Sequence, residues 1–388
     1  MIVPVRGYDA LRTGDGITAK NKLGIVDDPE LLQAAEIIAN DLAHIDIRQG
    51  LVPGAFDADH LRAIHRHLFA DVYEWAGVMR GEPITLEGET FMLPDSMKKT
   101  GSTALFAAAS TVSDRLDDIF ERLEANDYLQ GLDRAAFTNE AGSFFAELNE
   151  IHPFPEGNGR TQREFVTQLA DAAGHSLDFS LVSGERMITI SEQAIDTDRR
   201  PGSPAGIVRM MDEISDPVRT APLRTALDHL DRSAFQWQET CISTTVPGER
   251  YKGTFVGQAR DSFMMMVGTS SIAVGFTADL DQVPEPGAPI QFTAKERGYN
   301  HGVAAAFDRL ERSDAERHPA LAAAHHALDK LDTEIAREFT PREKAFTEVR
   351  ELGRHAIRRD LLEGRAHSPE LATHAVESVR GRDAGHSH

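Results

Sequence analysis

The chain has 388 residues, 41% of them apolar and 27% charged, with 41 Lys and Arg against 62 Asp and Glu for a net charge of −21. That length predicts two or three domains, and that composition excludes a disordered chain. The field of so acidic a chain repels duplex nucleic acid and anionic membrane, so direct binding to either is not expected. The single cysteine, Cys241, excludes an internal disulfide framework and a multi-cysteine zinc site. The opening Met-Ile-Val-Pro-Val-Arg-Gly has no basic segment followed by an apolar one. No apolar run reaches the roughly 18 residues of a membrane helix. The expectation is a cytoplasmic protein without a cleaved leader, with export by another route left open.

In chain order, Pro29 to Ile38 has helical periodicity, with Asp28 as candidate N-cap. Asp57 opens a second helix that puts Leu61, Ile64 and Leu68 on one side. Ile84 to Leu93 reads as two short β-prone runs around a Glu-Gly-Glu turn, a hairpin set into a helical domain. Ser110 to Leu123 and Arg134 to Leu148 return to the helical period. From about Gln236 the pattern changes to five β-rich runs: Thr240–Val246, Tyr251–Gly257, Ser262–Val267, Ser271–Phe276 and Pro289–Ala294. Five short, closely spaced strands predict a small barrel of OB type. Within it, Phe263-Met264-Met265-Met266 reads as a strand whose alternate residues fill the barrel. Helical patterns resume at Val303–Leu310, Pro319–Phe339 and Pro341–Leu362. The residues from His301 onward carry 14 basic and 16 acidic groups, near neutrality in an otherwise acidic chain, which marks a separate unit. His325-His326 reads as a solvated face, since adjacent helical residues point about 100° apart and do not share an ion easily.

The chemistry is concentrated in Ile151-His-Pro-Phe-Pro-Glu-Gly-Asn-Gly-Arg-Thr-Gln-Arg163. Two prolines and two glycines stop one amphipathic helix, and another resumes at Arg160, so this is helix, tight loop, helix. Gly157-Asn158-Gly159 just before a helix N-terminus lets successive N–H groups converge on an anion, with the helix dipole adding attraction. Arg160 and Arg163, three apart, can both reach the same site, and two guanidinium forks beside an anion nest suit a polyphosphate. Glu156 in such a place would repel phosphate unless a divalent cation bridged them, and Mg²⁺ is the natural candidate. His152 supplies a group able to accept a proton. Phe154 is expected to anchor the loop in the core. The spacing matches neither a Walker A loop nor a dinucleotide-binding fingerprint.

At every specified position, His152 to Arg163 resembles the signature of the Fic family, His-x-Phe-x-(Asp/Glu)-Gly-Asn-Gly-Arg-x-x-Arg. The upstream stretch from His65 through Leu68, Phe69, Val72, Tyr73, Trp75, Ala76 and Gly77 to Arg80 is similar to the segment that precedes it in that family. The hairpin at 84–94 resembles the family's flap. The resemblance covers about residues 30–215. It implies a mainly α Fic fold with a β-hairpin flap, followed by the five-stranded OB-like β-barrel and a helical tail. The domains are then 1–230, 236–297 and 301–388.

The resemblance further implies a protein adenylyltransferase moving AMP from ATP to a Ser, Thr or Tyr hydroxyl of a target protein. Carried over by position, His152 is the base and Glu156 holds Mg²⁺ between the α- and β-phosphates. Gly157, Asn158 and Gly159 form the hole for the α-phosphate, Arg160 meets the β-phosphate and Arg163 the γ-phosphate, with Thr161 counted in the same nucleotide-binding loop. Ile84, Thr85, Leu86 and Phe91 belong to the target-docking flap. Phosphate-transferring relatives carry Lys at the second glycine, whereas Gly159 here favours nucleotide transfer. The family's restraining (Ser/Thr)-x-x-x-Glu-(Gly/Asn) helix is missing: the residue four before Glu87, Glu156 and Glu363 is Pro83, His152 and Arg359. A separate small antitoxin is therefore the expected source of that glutamate. The order Fic domain, OB-like barrel, helical tail resembles effectors and toxins delivered by type IV secretion, with 301–388 in the place of a short secretion-signal (BID-like) region. Another nucleotide or phosphocholine as donor, and a catalytically silent adaptor, remain open alternatives.

Overall fold

The structure is a computed structural model that describes residues 3–48, 50–99, 104–197, 200–229 and 239–296. The helices expected after Asn300, His325-His326 and the secretion-signal region lie outside the described residues. Packing divides the described chain into two units, one made of 3–6, 54–65 and 78–296 and the other of 7–53 and 66–77.

The smaller unit holds α1 (Pro29–Arg48). Asp28 caps it, accepting the Leu31 N–H at 3.0 Å. Leu32, Ala35, Ala39, Ala43 and Ile47, spaced three or four apart, are its buried side. The upstream segment packs in the same unit: Tyr73 stacks on Trp75 with centroids 4.4 Å apart, and its hydroxyl donates to the Glu36 carboxylate. α2 (Ala58–Phe69) begins with Asp57 accepting the His60 N–H at 2.8 Å, and Leu61, Ile64 and Leu68 are buried as the spacing predicts.

In the larger unit β1 (Ile84–Leu86) and β2 (Glu89–Phe91) form the expected hairpin. Both turn residues have positive φ, 53° at Glu87 and 81° at Gly88, the conformation that matches strand twist in a two-residue loop. Ile84, Leu86 and Phe91 are buried while Thr85 is exposed. One edge of the hairpin is occupied by the chain itself. Met92 N–H donates to Pro4 O at 2.8 Å, Arg6 N–H donates to Met92 O at 2.9 Å, and Arg6 pairs with Glu89 at 2.7 Å.

α3 (Val112–Ala125) follows, entered through a 3-10 turn over Ala109–Thr111. α4 (Arg134–Ile151) is capped by Asp133. It is the central helix, burying Phe137, Ala141, Phe145 and Leu148. α5 (Asn158–Ala172), α6 (Gly184–Gln193), α7 (Ala205–Ile214) and α8 (Pro217–His229) complete the helical part. A Cβ at Gly142 would meet Val208 Cγ2 at 2.7 Å, so this glycine is what lets α4 and α7 approach.

The five expected strands are β3 (Cys241–Thr244), β4 (Arg250–Ala259), β5 (Ser262–Val267), β6 (Ser271–Phe276) and β7 (Pro289–Thr293). They form one sheet in the order β3-β6-β5-β4-β7, antiparallel except for β3 with β6. The turn after β3 meets the end of β7 through Gly248 N–H to Ala294 O and Ala294 N–H to Glu249 O. Among the described residues no ladder joins β3 to β7. Phe263 and Met265 are buried with Phe255, Ile290 and Phe292, whereas Met266 is exposed, as alternation along a strand requires. The sheet is fastened to the helices by a buried ion pair, Arg186 with Glu213 at 2.7 Å. Glu213 also accepts the Thr244 N–H, and Arg186 donates to Ile242 O.

Candidate active site

α4 delivers the site. Its last turn closes when the His152 N–H donates to Leu148 O at 3.1 Å, and His152 itself turns left-handed at φ 51° and ψ 62°. Histidine tolerates that conformation better than most side chains, and non-glycine residues held in it recur where function fixes the geometry. Pro153 and Pro155 prevent any continuation of the helix. The loop is then clamped from inside: Asn158 Oδ1 accepts the Phe154 N–H at 2.8 Å and its Nδ2 donates to Phe154 O at 2.7 Å. Phe154 is fully buried and stacks on His65 at 3.8 Å, the expected anchor.

Gly157 has φ 83°, a turn that only glycine makes without strain, and α5 starts at the next residue. The first intrahelical bond of α5 runs from Thr161 N–H to Gly157 O, so the N–H groups of Asn158 and Gly159 point out of the helix end. Gly159 and Glu156 are exposed. A Cβ built on Gly159 would have one neighbour within 4 Å, Arg163 Nη1 at 3.5 Å, so the second arginine and the second glycine share a space. Burial, then the Arg160 charge, lowers the Arg163 pKa to about 10, which leaves it cationic at neutral pH. The motif residues are therefore not all equally exposed. The Asn158 side chain holds the loop, and the buried Thr161 hydroxyl is spent on Gly157 O at 3.1 Å.

The imidazole of His152 stacks on Phe106 with centroids 3.6 Å apart. Burial drives its pKa down to about 3, the Arg80 and Lys99 charges adding to the shift and a bond to the Asn149 carbonyl opposing it. At neutral pH it is an uncharged base. His65 is depressed likewise to about 3, chiefly by burial, so its Nε2 carries the proton given to Glu156 O at 3.0 Å. Arg80, almost fully buried, donates to the carbonyls of Ile151, His152 and Ala107. His65 and Arg80 stood in the upstream segment without an assigned task. Phe106 and Lys99 carried no local signal at all, being brought in by the segment before α3. Two surface cavities of about 600 and 560 Å³ lie along α3 and are lined by none of the motif residues. Among the described residues no three His, Cys, Asp or Glu side chains gather as a metal site, and no helix is long and apolar enough to cross a membrane.

Residues 55–170 match the Fic/DOC family. The chain is 33% identical over 287 residues to a protein adenylyltransferase of Bartonella henselae, an alignment covering 71% of this chain and 51% of that protein. It thus spans about half the length of that curated relative. The structure of the type IV secretion system effector protein BepA matches with a TM-score of 0.68 and 31% identity, over 77% of this chain and 99% of that one. The structure of BepC from Bartonella tribocorum, with bound AMPPNP, matches with a TM-score of 0.50 and 31% identity, over 54% and 97%. Its intact His152–Arg163 signature, its flap and its likeness along the whole of the BepA chain make this protein a member of the Fic/DOC family.

Proposed function

We propose that the protein is a protein adenylyltransferase that transfers AMP from ATP to a Ser, Thr or Tyr hydroxyl of a target protein and releases pyrophosphate. The observation that carries this reading is a neutral imidazole at the start of the short loop between α4 and α5, followed at the end of that loop by a helix N-terminus with two arginines in its first turns. The target oxygen attacks the α-phosphorus, His152 takes the hydroxyl proton, and the bond from that phosphorus to the bridging oxygen of pyrophosphate breaks. Phosphoryl-type transfer asks the protein mainly for placement and charge neutralisation. The N–H groups of Gly157, Asn158 and Gly159 take the α-phosphate, and Arg160 and Arg163 the β- and γ-phosphates. Their positive charge and the helix end suit developing negative charge on oxygen. The bound AMPPNP of BepC supports a nucleoside triphosphate donor.

Mg²⁺ fits as a companion of the nucleotide. Glu156 offers one exposed carboxylate, and a hard ion of this size commonly takes one or two carboxylates with phosphate oxygens and water. When bound through Glu156, it would neutralise phosphate charge.

The flap docks the target. With the Met92 side taken by Pro4–Arg6, the outer edge of β1 pairs with no other strand among the described residues, and there the Thr85 backbone can receive an extended segment. We assign 1–230 to the Fic domain, 236–297 to an OB-like module and 301–388 to a secretion-signal region. The protein acts as a toxin or effector, passed from the cytoplasm to a recipient cell by type IV secretion and restrained beforehand by an antitoxin. The likeness to BepA supports the delivery route. Incubating the protein with lysates and ATP labelled at the α-phosphate or the γ-phosphate tests the reaction. A protein band labelled from the α-position alone, lost in His152→Ala, is the expected result. Label from the γ-position, or undiminished labelling by the variant, would falsify it.

A further inference from the structure

The geometry points to Arg80 as the residue that positions His152, a role that rests on the transferase reading above. Three consecutive carbonyls leave the end of α4, those of Ile151, His152 and Pro153, and Arg80 holds every one. Its Nη2 donates to Ile151 O at 2.7 Å, its Nε to His152 O at 2.7 Å, and its backbone N–H to Pro153 O at 2.7 Å. The same Nη2 donates to Ala107 O at 2.8 Å, next to Phe106, whose ring stacks on the His152 imidazole. One side chain thus fixes both the backbone that carries the imidazole and the ring that faces it.

Two physical facts separate this from ordinary capping. The last carbonyls of a helix lack intrahelical partners and attract a cation, so a donor is needed there. A lysine or a water could serve at a solvent-exposed end, yet here a guanidinium is buried at 2% exposure, where desolvation is costly. The planar fork is what a flexible ammonium lacks, since it sets several acceptors at fixed mutual angles. The left-handed turn at His152 needs such over-determination to persist. Among the described residues, the charged and polar groups that act on the ring are Arg80, Lys99 and the Asn149 carbonyl, with Phe106 against its face. Arg80 therefore also acts as a cation behind the base.

Arg80→Lys and Arg80→Gln in the full chain separate the fork from the charge. Each is checked for fold by its melting transition, for binding by calorimetric titration of Mg-ATP, and for turnover by AMP transfer. The His152 protonation midpoint is followed by NMR of histidine-labelled protein. Both variants are expected to lose transfer by about 100-fold, the usual effect of a 1 Å misplacement, with ATP affinity within about twofold of wild type. Arg80→Lys leaves the His152 midpoint where it is in the wild type, whereas Arg80→Gln raises it toward the ordinary histidine value. A folded Arg80→Lys protein with wild-type turnover overturns the proposal. So does a loss of ATP affinity in step with the loss of rate, which marks general damage to the fold. If the wild type itself transfers nothing, the transferase reading fails, and the NMR midpoints still decide whether Arg80 governs the imidazole.

Discussion

Gly159 stands in the first turn of α5 without a positive φ and without a close neighbour that excludes a Cβ. Folding therefore gives no reason for glycine there, and helix propensity argues against it. On the proposed transferase reaction, the reason is in the space shared with Arg163 Nη1, where a methyl group would intrude on the α-phosphate assigned to that turn. Gly159→Ala should raise stability by about 0.5 kcal/mol in urea unfolding. It should weaken ATP binding about tenfold, as expected when one charge-assisted hydrogen bond is spoiled. A variant that gains stability and keeps its affinity would remove the phosphate from this spot.

His65 carries a different residue-level prediction. Its folded pKa, about 3, lies below the ordinary histidine value. At pH 7 both folded and unfolded states leave it neutral. As pH falls below about 6.5 the unfolded chain binds a proton that the fold refuses, so stability declines until about pH 3. The slope is up to about 1.4 kcal/mol per pH unit for this group. Glutamine can donate to Glu156 O in its place. His65→Gln should match wild type at pH 7 and unfold less readily in urea at pH 5, and equal curves at both values would count against the buried neutral ring.

At the scale of elements, the flap is the part most open to test. Thr85 sits at the middle of β1, side chain exposed, on the edge opposite the Pro4–Arg6 strap. Proline is tolerated on sheet edges, where its missing N–H faces solvent. Thr85→Pro should leave ATP titration unchanged and cut target labelling by about tenfold, one or two backbone hydrogen bonds' worth of docking. Undiminished labelling would place the target elsewhere. The elements were largely legible because their signals are local: Asp28 and Asp57 cap as read, β5 and β6 match residue for residue, and Glu87-Gly88 turns as expected. The strap was not legible. Nothing in Pro4-Val5-Arg6 marks a partner some 87 residues away, since main-chain pairing leaves little trace in side-chain identity. The candidate site divides the same way. His152 to Arg163 is contiguous and could be read. The grip of Arg80 on His152, the Phe106 stack and the Asn158 clamp arise only when distant segments meet.

For the molecule as a whole, the question is whether helices and sheet in the larger unit fold together. Arg186 on α6 and Glu213 on α7 form a nearly inaccessible bidentate pair, and both reach into β3 through Ile242 O and the Thr244 N–H. Ser183 Oγ adds a bond to Thr240 O at 2.6 Å. Removing one partner from such a pair leaves the other charge buried without its counterion, which costs about 3 to 5 kcal/mol. In Glu213→Ala the Thr244 N–H also loses its acceptor. Were the sheet an independent module, this loss would fall on its attachment, and the helical signal and a fluorophore placed on the sheet would report separate transitions. A shared network predicts that both probes move together to lower urea, by the same free energy. Urea unfolding of wild type and Glu213→Ala, followed by helix ellipticity and by a label on Cys241, distinguishes the two cases. Coincident midpoints in both proteins are the expected outcome, and a sheet probe that shifts alone would make the strands a separately folding domain.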